Sequence, residues 1–303
     1  MKLTTLVKSI LAEDAVDDKL ADLSDKFENG SVEDYVATLQ KYATDPKVAA
    51  VLKAGGTDNK GKADERFSVA GASPEAKNLK PTQNEIGAAE SLVNILTDDY
   101  GSLGSFLKGT ASFPDPIIIY NDEYILDGHH RWSQVYAANP DATISALNVT
   151  GRLDAKQILK VVHTAIAADA GQTKTIAADR SGGNLLTYTD QDVYKYVEEN
   201  LNDKARKVWT RYGLTTDDEI AQHIATNVRT MIAKSKPATG APTRDSMPQP
   251  GKSGSEDWGK LMKQGDVNFN EPKQSDIKDS VQKSGTLVES VKSRLKQLAN
   301  IKK

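Results

Sequence analysis

The sequence predicts an α+β fold, a small mixed sheet with packed helices, flanked by helical N- and C-terminal regions. Three observations point to it. A strand, turn, strand, helix, strand succession runs from Pro116 to Val149, the element order of a small α/β or α+β core. Apolar residues three and four apart, the mark of amphipathic helices, dominate on both sides of that stretch. Hydrophobic residues make up 38% and aromatics 6% of 303 residues, lean for one compact globule, so extended helices and solvated linkers are expected to take up part of the length.

In chain order, Leu3, Leu6, Val7, Ile10 and Leu11, then Leu20, Leu23 and Phe27, recur at helical spacing. Ser31 caps a helix over SVEDYVATLQKY with Asp34 in its first turn, and Pro46 opens another that Gly55 closes. Residues 1–54 thus read as a helical N-terminal region. Residues 55–77 are small, polar and unpatterned, which predicts a linker. The core is expected over 78–152. Ile86, Ala89, Leu92, Val93 and Leu96 form one helix face; PIIIY is a buried strand, Asn121-Asp122 a turn, YIL its partner strand, HHRWSQVYAA a helix ended by Asn139-Pro140, and TISALNV a third strand. A helical domain over 153–234 follows, with helices in DAKQILKVVHTAIAAD, DVYKYVEENL and DKARKVWTRY. Its last helix runs from Thr216 to Lys234 and opens on Thr216-Asp217-Asp218-Glu219, a capping box. Residues 235–257, rich in Pro, Gly and Ser, read as a disordered linker. In the tail, 258–303, Val288, Val291, Leu295 and Leu298 line one edge of a helix suited to a partner groove or to self-association.

Composition bounds the chemistry. The chain has no cysteine, which excludes disulfides, thiolate zinc sites and cysteine nucleophiles. No secretory leader is expected, because Lys8, Glu13 and Asp14 interrupt the first apolar stretch. No stretch approaches the roughly 18 apolar residues that cross a bilayer, so no membrane partner is expected. A net charge of −3 gives no global attraction to nucleic acid. Lys204, Arg206, Lys207 and Arg211 form the best basic patch and read first as a solvated helix face.

The densest chemistry is Asp127-Gly128-His129-His130-Arg131-Trp132, where a strand hands over to a helix. Asp127 is placed to cap the helix, and Gly128 lets the backbone turn and a ligand approach. The first helical amides point outward beside the positive end of the helix dipole, where an anion fits. Arg131 adds a fork for two phosphate oxygens; His129 and His130 add donors, or a proton near neutral pH. Neighbouring helical side chains diverge by about 100°, so no metal site is assigned to the two histidines. A plainer reading makes the box a common turn with Arg131 and Trp132 closing the helix over the core. Trp132, Val135 and Tyr136 share one face and read as core, and His163 and His223 as structural or surface histidines.

Gly128-His129-His130-Arg131, after a strand pair and before a helix, resembles the signature of the ParB/sulfiredoxin superfamily, and Asp127 to Trp132 is most similar to the ParB-like domains common in bacteriophage genomes and to their kinase-like relatives. The segment Pro81-Thr82-Gln83-Asn84-Glu85-Ile86 resembles the one that opens such domains and faces the same pocket. The likeness covers roughly residues 78–152. His129 stands where sulfiredoxins carry cysteine, which excludes sulfinic-acid repair, and His130 replaces the first arginine of the ParB box, so CTP preference and clamp behaviour are not carried over.

The resemblance implies a nucleotide (ATP, ADP or CTP) with Mg²⁺, and phosphoryl-transfer or nuclease chemistry. Gln83, Gly128, His129, His130 and Arg131 would hold phosphate, with Gln83 or Asn84 positioning the ligand. Glu85 would be the general base, and Asp127 would orient a hydroxyl or Mg²⁺, with His130 as a further catalytic candidate. The other reading is a phage virion or assembly protein that keeps the fold as a scaffold, working in the host cytoplasm or the particle and docking on phage structural proteins or on its own C-terminal helix. DNA is a third partner class.

Overall fold

The computed structural model describes residues 16, 18–49, 68–114, 116–170 and 182–248. The periodic stretch Leu3–Leu11, the closure at Gly55, the loop over 171–181 and the tail helix lie outside them.

A helix over 18–28 (α1) turns into α2 (Val32–Tyr42), whose Ser31 and Asp34 form a reciprocal capping box, and α3 begins at 46. Next come β1 (Ser68–Ala72), a 3-10 turn (Ala76–Asn78), β2 (Lys80–Pro81), α4 (Ala88–Thr97), α5 (Leu103–Leu107) and β3 (Thr110–Ala111). The central run is β4 (Ile117–Tyr120), β5 (Tyr124–Asp127), α6 (His129–Ala138), β6 (Thr143–Ile144) and β7 (Ala146–Thr150). Helices α7 (Ala155–Ala170), α8 (Asp190–Asn200), α9 (Asp203–Arg211) and α10 (Asp217–Lys234) follow, the last with the expected Thr216–Glu219 box.

The main sheet is mixed and five-stranded, in the order β1-β7-β4-β5-β2. The pairs β1–β7 and β4–β5 are antiparallel; β7–β4 and β5–β2 are parallel. The α+β reading, with a mixed sheet and packed helices, therefore holds. Alternation along β4 sorts its side chains between two cores. Ile117 and Ile119 join the cluster built with α4, α6, α8, α9 and α10, while Ile118 and Tyr120 join one built with α1, α2 and α7. Both faces of β4 are covered, which explains its uninterrupted apolar run. The β4–β5 turn uses Asn121 and Asp122 at φ 53° and 58°, residues that tolerate the left-handed region. A register shift between Ile118 and Ile119 leaves Leu126 unpaired between Ile125 and Asp127, a bulge that re-aims the end of β5.

Four expectations change. Ser68–Ala72, read within the linker, is a sheet-edge strand on β7, and the 3-10 turn Ala76–Asn78 also starts inside it. TISALNV breaks at Ser145: β6 pairs β3 in a separate two-stranded sheet, and only β7 enters the main sheet. The N-terminal helices are no separate region, because Leu23, Phe27, Tyr35 and Leu39 share a core with Ile118 and Val149. Residues 235–248, read within a disordered linker, lie against the core, with a 3-10 turn at Arg244–Ser246 and Met247 buried.

Candidate functional site

The site starts at the junction of β5 and α6. Gly128 is the N-cap of α6 at φ 93°. A Cβ there would stand 2.5 Å from Ile117 Cγ2, so both conformation and space demand glycine. No side chain caps the helix. Asp127, expected as the cap, instead accepts a hydrogen bond from Arg131 one turn on (Oδ2 to Nη2, 2.7 Å), with both side chains 26% exposed. The two charges expected to meet a ligand meet each other at the protein surface.

The histidines also differ from expectation. His129 is 6% exposed, and its Nε2 accepts the Thr82 amide at 3.1 Å. An acceptor Nε2 means a neutral ring with its proton on Nδ1. Burial, with the neighbouring charges of His130, Arg244 and Arg131, pulls its pKa down to about 3. His130 Nε2 accepts the Gly87 amide at 3.3 Å; burial, then Arg244, pulls it to about 4. Neither Nε2 is thus a phosphate donor. The pair fastens α6 to the segment that leads into α4.

That fastening brings the sequence-predicted residues together. Thr82 to Gly87 lies along the start of α6, with Gln83 3% exposed and Glu85 Oε2 buried without a hydrogen-bond partner. Asn84 departs: its amide donates to Pro242 O (2.9 Å) and its Nδ2 to Ala241 O (3.2 Å), so its side chain holds the C-terminal segment rather than a ligand.

The same fastening sets α4 beside α6 with their N-termini together. Contacts ascend in step: Gly87 with His130, Ser91 with Ser133 (2.8 Å), Asn94 with Gln134 (3.1 Å). Both helices begin on a glycine N-cap without a side-chain cap. Parallel helices so placed add the positive ends of their dipoles.

Two residues of this site escaped sequence reasoning. Arg244 comes from the segment read as linker and donates to Glu90 (Nη1 to Oε1, 3.0 Å). Glu90 lies in the first turn of α4, and its Oε2 is buried without a partner. The only sequence signal for Arg244 was a single arginine in a Pro/Gly/Ser-rich stretch. The cluster thus sets two guanidinium groups against two carboxyl groups, those of Asp127 and Glu90. Among the described residues, no group of three or more His, Asp or Glu side chains is arranged to hold a metal ion.

Elsewhere, His163 Nε2 bonds Ser246 O (2.9 Å), and His223 Nε2 bonds Ala138 O (2.7 Å) with its ring edge-on to Trp209; both are structural. Trp132, Val135 and Tyr136 are core. In the basic run, Arg206 bonds Asp217 (2.6 Å) and Asp203, and Lys204 bonds Asp98 O, which leaves a cross-linked helix face. No described helix is long and apolar enough to cross a membrane. No family model matches the chain, and neither a curated protein nor a solved structure is found to be similar to it.

Proposed function

We propose that this chain is a phosphate- or nucleotide-binding protein of the ParB-like kind, with its ligand at the joined N-termini of α4 and α6. One observation carries the reading: two parallel helices start side by side on glycine N-caps that take no side-chain capping hydrogen bond, although Gly183 O accepts the first amide of α4, and the charges of Arg131 and Arg244 both bear on His129 and His130 between them. Amides and guanidinium groups are the donors a phosphate takes. A ligand oxygen would replace the Asp127 carboxylate on Arg131, and the amides of His129 and His130 would hold a second oxygen. The imidazoles position these groups and bring no charge. Gln83 lies along the same edge, and the bare Oε2 of Glu85 is the candidate base for phosphoryl transfer or phosphodiester hydrolysis. Mg²⁺ would arrive on the phosphates of a nucleotide, as this ion prefers to bind. Titration calorimetry of the full chain with pyrophosphate, ADP, ATP and CTP, with and without Mg²⁺, tests the reading. Binding is expected, and Arg131→Gln should weaken it about tenfold or more. If Arg131→Gln binds as tightly as wild type, the assignment fails.

The scaffold reading has one observation in its favour: both guanidinium groups already rest on internal carboxylates. It predicts that the wild-type chain binds none of these anions and that purified particles contain it in fixed stoichiometry.

A further inference from the structure

The geometry points to Arg244 as a second anion-binding guanidinium, carried on a strap over residues 238–247, with Glu90 holding it where an anionic ligand's oxygen would otherwise sit. This rests on the phosphate reading and goes beyond it by adding a second guanidinium and a competitor for the ligand.

The strap is fastened by single hydrogen bonds rather than by strand pairing. Ala238 N donates to Pro81 O (3.0 Å), and Asn84 binds Pro242 and Ala241. Thr243 N donates to Glu33 Oε1 on α2 (3.2 Å), and Ser246 O accepts from His163 on α7 (2.9 Å). Met247 anchors the far end in the core that α1, α2 and α7 share. The strap therefore crosses from one face of the sheet to the other and touches the site segment at Asn84, between Gln83 and Glu85.

Arg244 lies within the electrostatic reach of the site. Its charge helps to depress the pKa of both His129 and His130, as does that of Arg131. Its partner Glu90 has only one oxygen engaged. Oε2 lies over the N-cap of α4, against the place where a Cβ on Gly87 would stand, and no donor meets it. A buried carboxylate oxygen at a helix N-terminus, already touching a guanidinium, has the surroundings of a bound phosphate oxygen. A diphosphate group brings enough oxygens to take Arg131 from Asp127 and Arg244 from Glu90 together.

Titration of the full chain with pyrophosphate tests this, with ADP as the second ligand to separate the diphosphate itself from a nucleotide. Arg244→Gln should weaken binding about tenfold, and Arg244→Lys less. Glu90→Gln should tighten it about threefold, and the double variant should bind no better than Arg244→Gln alone. In wild type, pyrophosphate should slow tryptic cleavage after Arg244, read by mass spectrometry, which remains informative if one variant folds poorly. Arg244→Gln binding like wild type while Arg131→Gln loses binding would overturn the role of Arg244 and leave the phosphate reading standing. No binding by wild type or Glu90→Gln would overturn both.

Discussion

Lys160 and Arg131 are both cations beside the same sheet, and they are satisfied in opposite ways. Lys160, on α7, is fully buried, and its Nζ donates to three carbonyls at the end of α1: Lys26 O (2.9 Å), Phe27 O (2.9 Å) and Gly30 O (2.6 Å). An ammonium has three protons, and all three are used. The rings of Phe27 and Tyr35 lie 5.9 Å from it. Arg131 sits at the rim, partly exposed and paired with the Asp127 carboxylate, and in the same cluster Glu90 Oε2 is buried without a hydrogen-bond partner. A buried charge with every proton placed is a fastener. Partly exposed charges beside an unsatisfied oxygen are a poorer fastener and a better receptor, because a surface pair exchanges at modest cost.

Acid should disturb this contrast most. His129, His130 and His163 are held neutral in the fold, at about 3, 4 and 4, against 6.5 for a free imidazole. Between those values the unfolded chain binds more protons, so stability rises with pH through that window and is lost as pH falls from 6.5 toward 4. Each imidazole contributes up to about 1.4 kcal/mol per pH unit. Urea midpoints measured from pH 7 to 4 should fall steeply, and His129→Gln should flatten the slope by one proton's worth.

Lys160→Met comes next. It takes the ammonium donor from Phe27 O and Gly30 O, while Lys26 O keeps the Gly30 amide, and should cost about 3 kcal/mol in chemical unfolding, while pyrophosphate affinity stays at the wild-type value. Gly128→Ala should cost about 2 kcal/mol through the contact with Ile117 and the positive φ, and unlike the lysine variant it should also abolish pyrophosphate binding. Asp127→Asn is the mildest. The partly exposed pair should contribute about 1 kcal/mol or less to stability, but releasing Arg131 should tighten pyrophosphate binding severalfold. A loss of affinity there would mean that Asp127 positions Arg131 rather than competing for it.

The strand β4, the turn at Asn121-Asp122, and α6 from His129 to Ala138 were legible because local signals agreed: a β-branched run, residues tolerant of positive φ, and a helix stopped by Asn139-Pro140. The cap at Ser31 and the capping box at Thr216 were legible for the same reason. The strand β1 was not, because SVAGA carries no apolar alternation of its own and owes its conformation to β7. The strap was misread because its composition lacks periodicity, while what orders it is Asn84, Glu33 and His163, each distant in sequence. At the site, the residues from Asp127 to Arg131 could be read from the sequence, but Arg244, Glu90 and the partnerships could not. That Gly128 must be glycine follows from the turn it makes. That His129 accepts from Thr82, and that Asp127 turns to Arg131 instead of capping α6, depends on backbone brought in by β2 and on a bulge in β5.

The most direct measurement is a structure of the chain soaked with pyrophosphate. The account predicts ligand density over Gly128, within hydrogen-bonding distance of the His129 and His130 amides, with Arg131 swung off Asp127 onto the ligand. An unchanged Asp127–Arg131 pair at saturating pyrophosphate, with no density at the two helix starts, would contradict it.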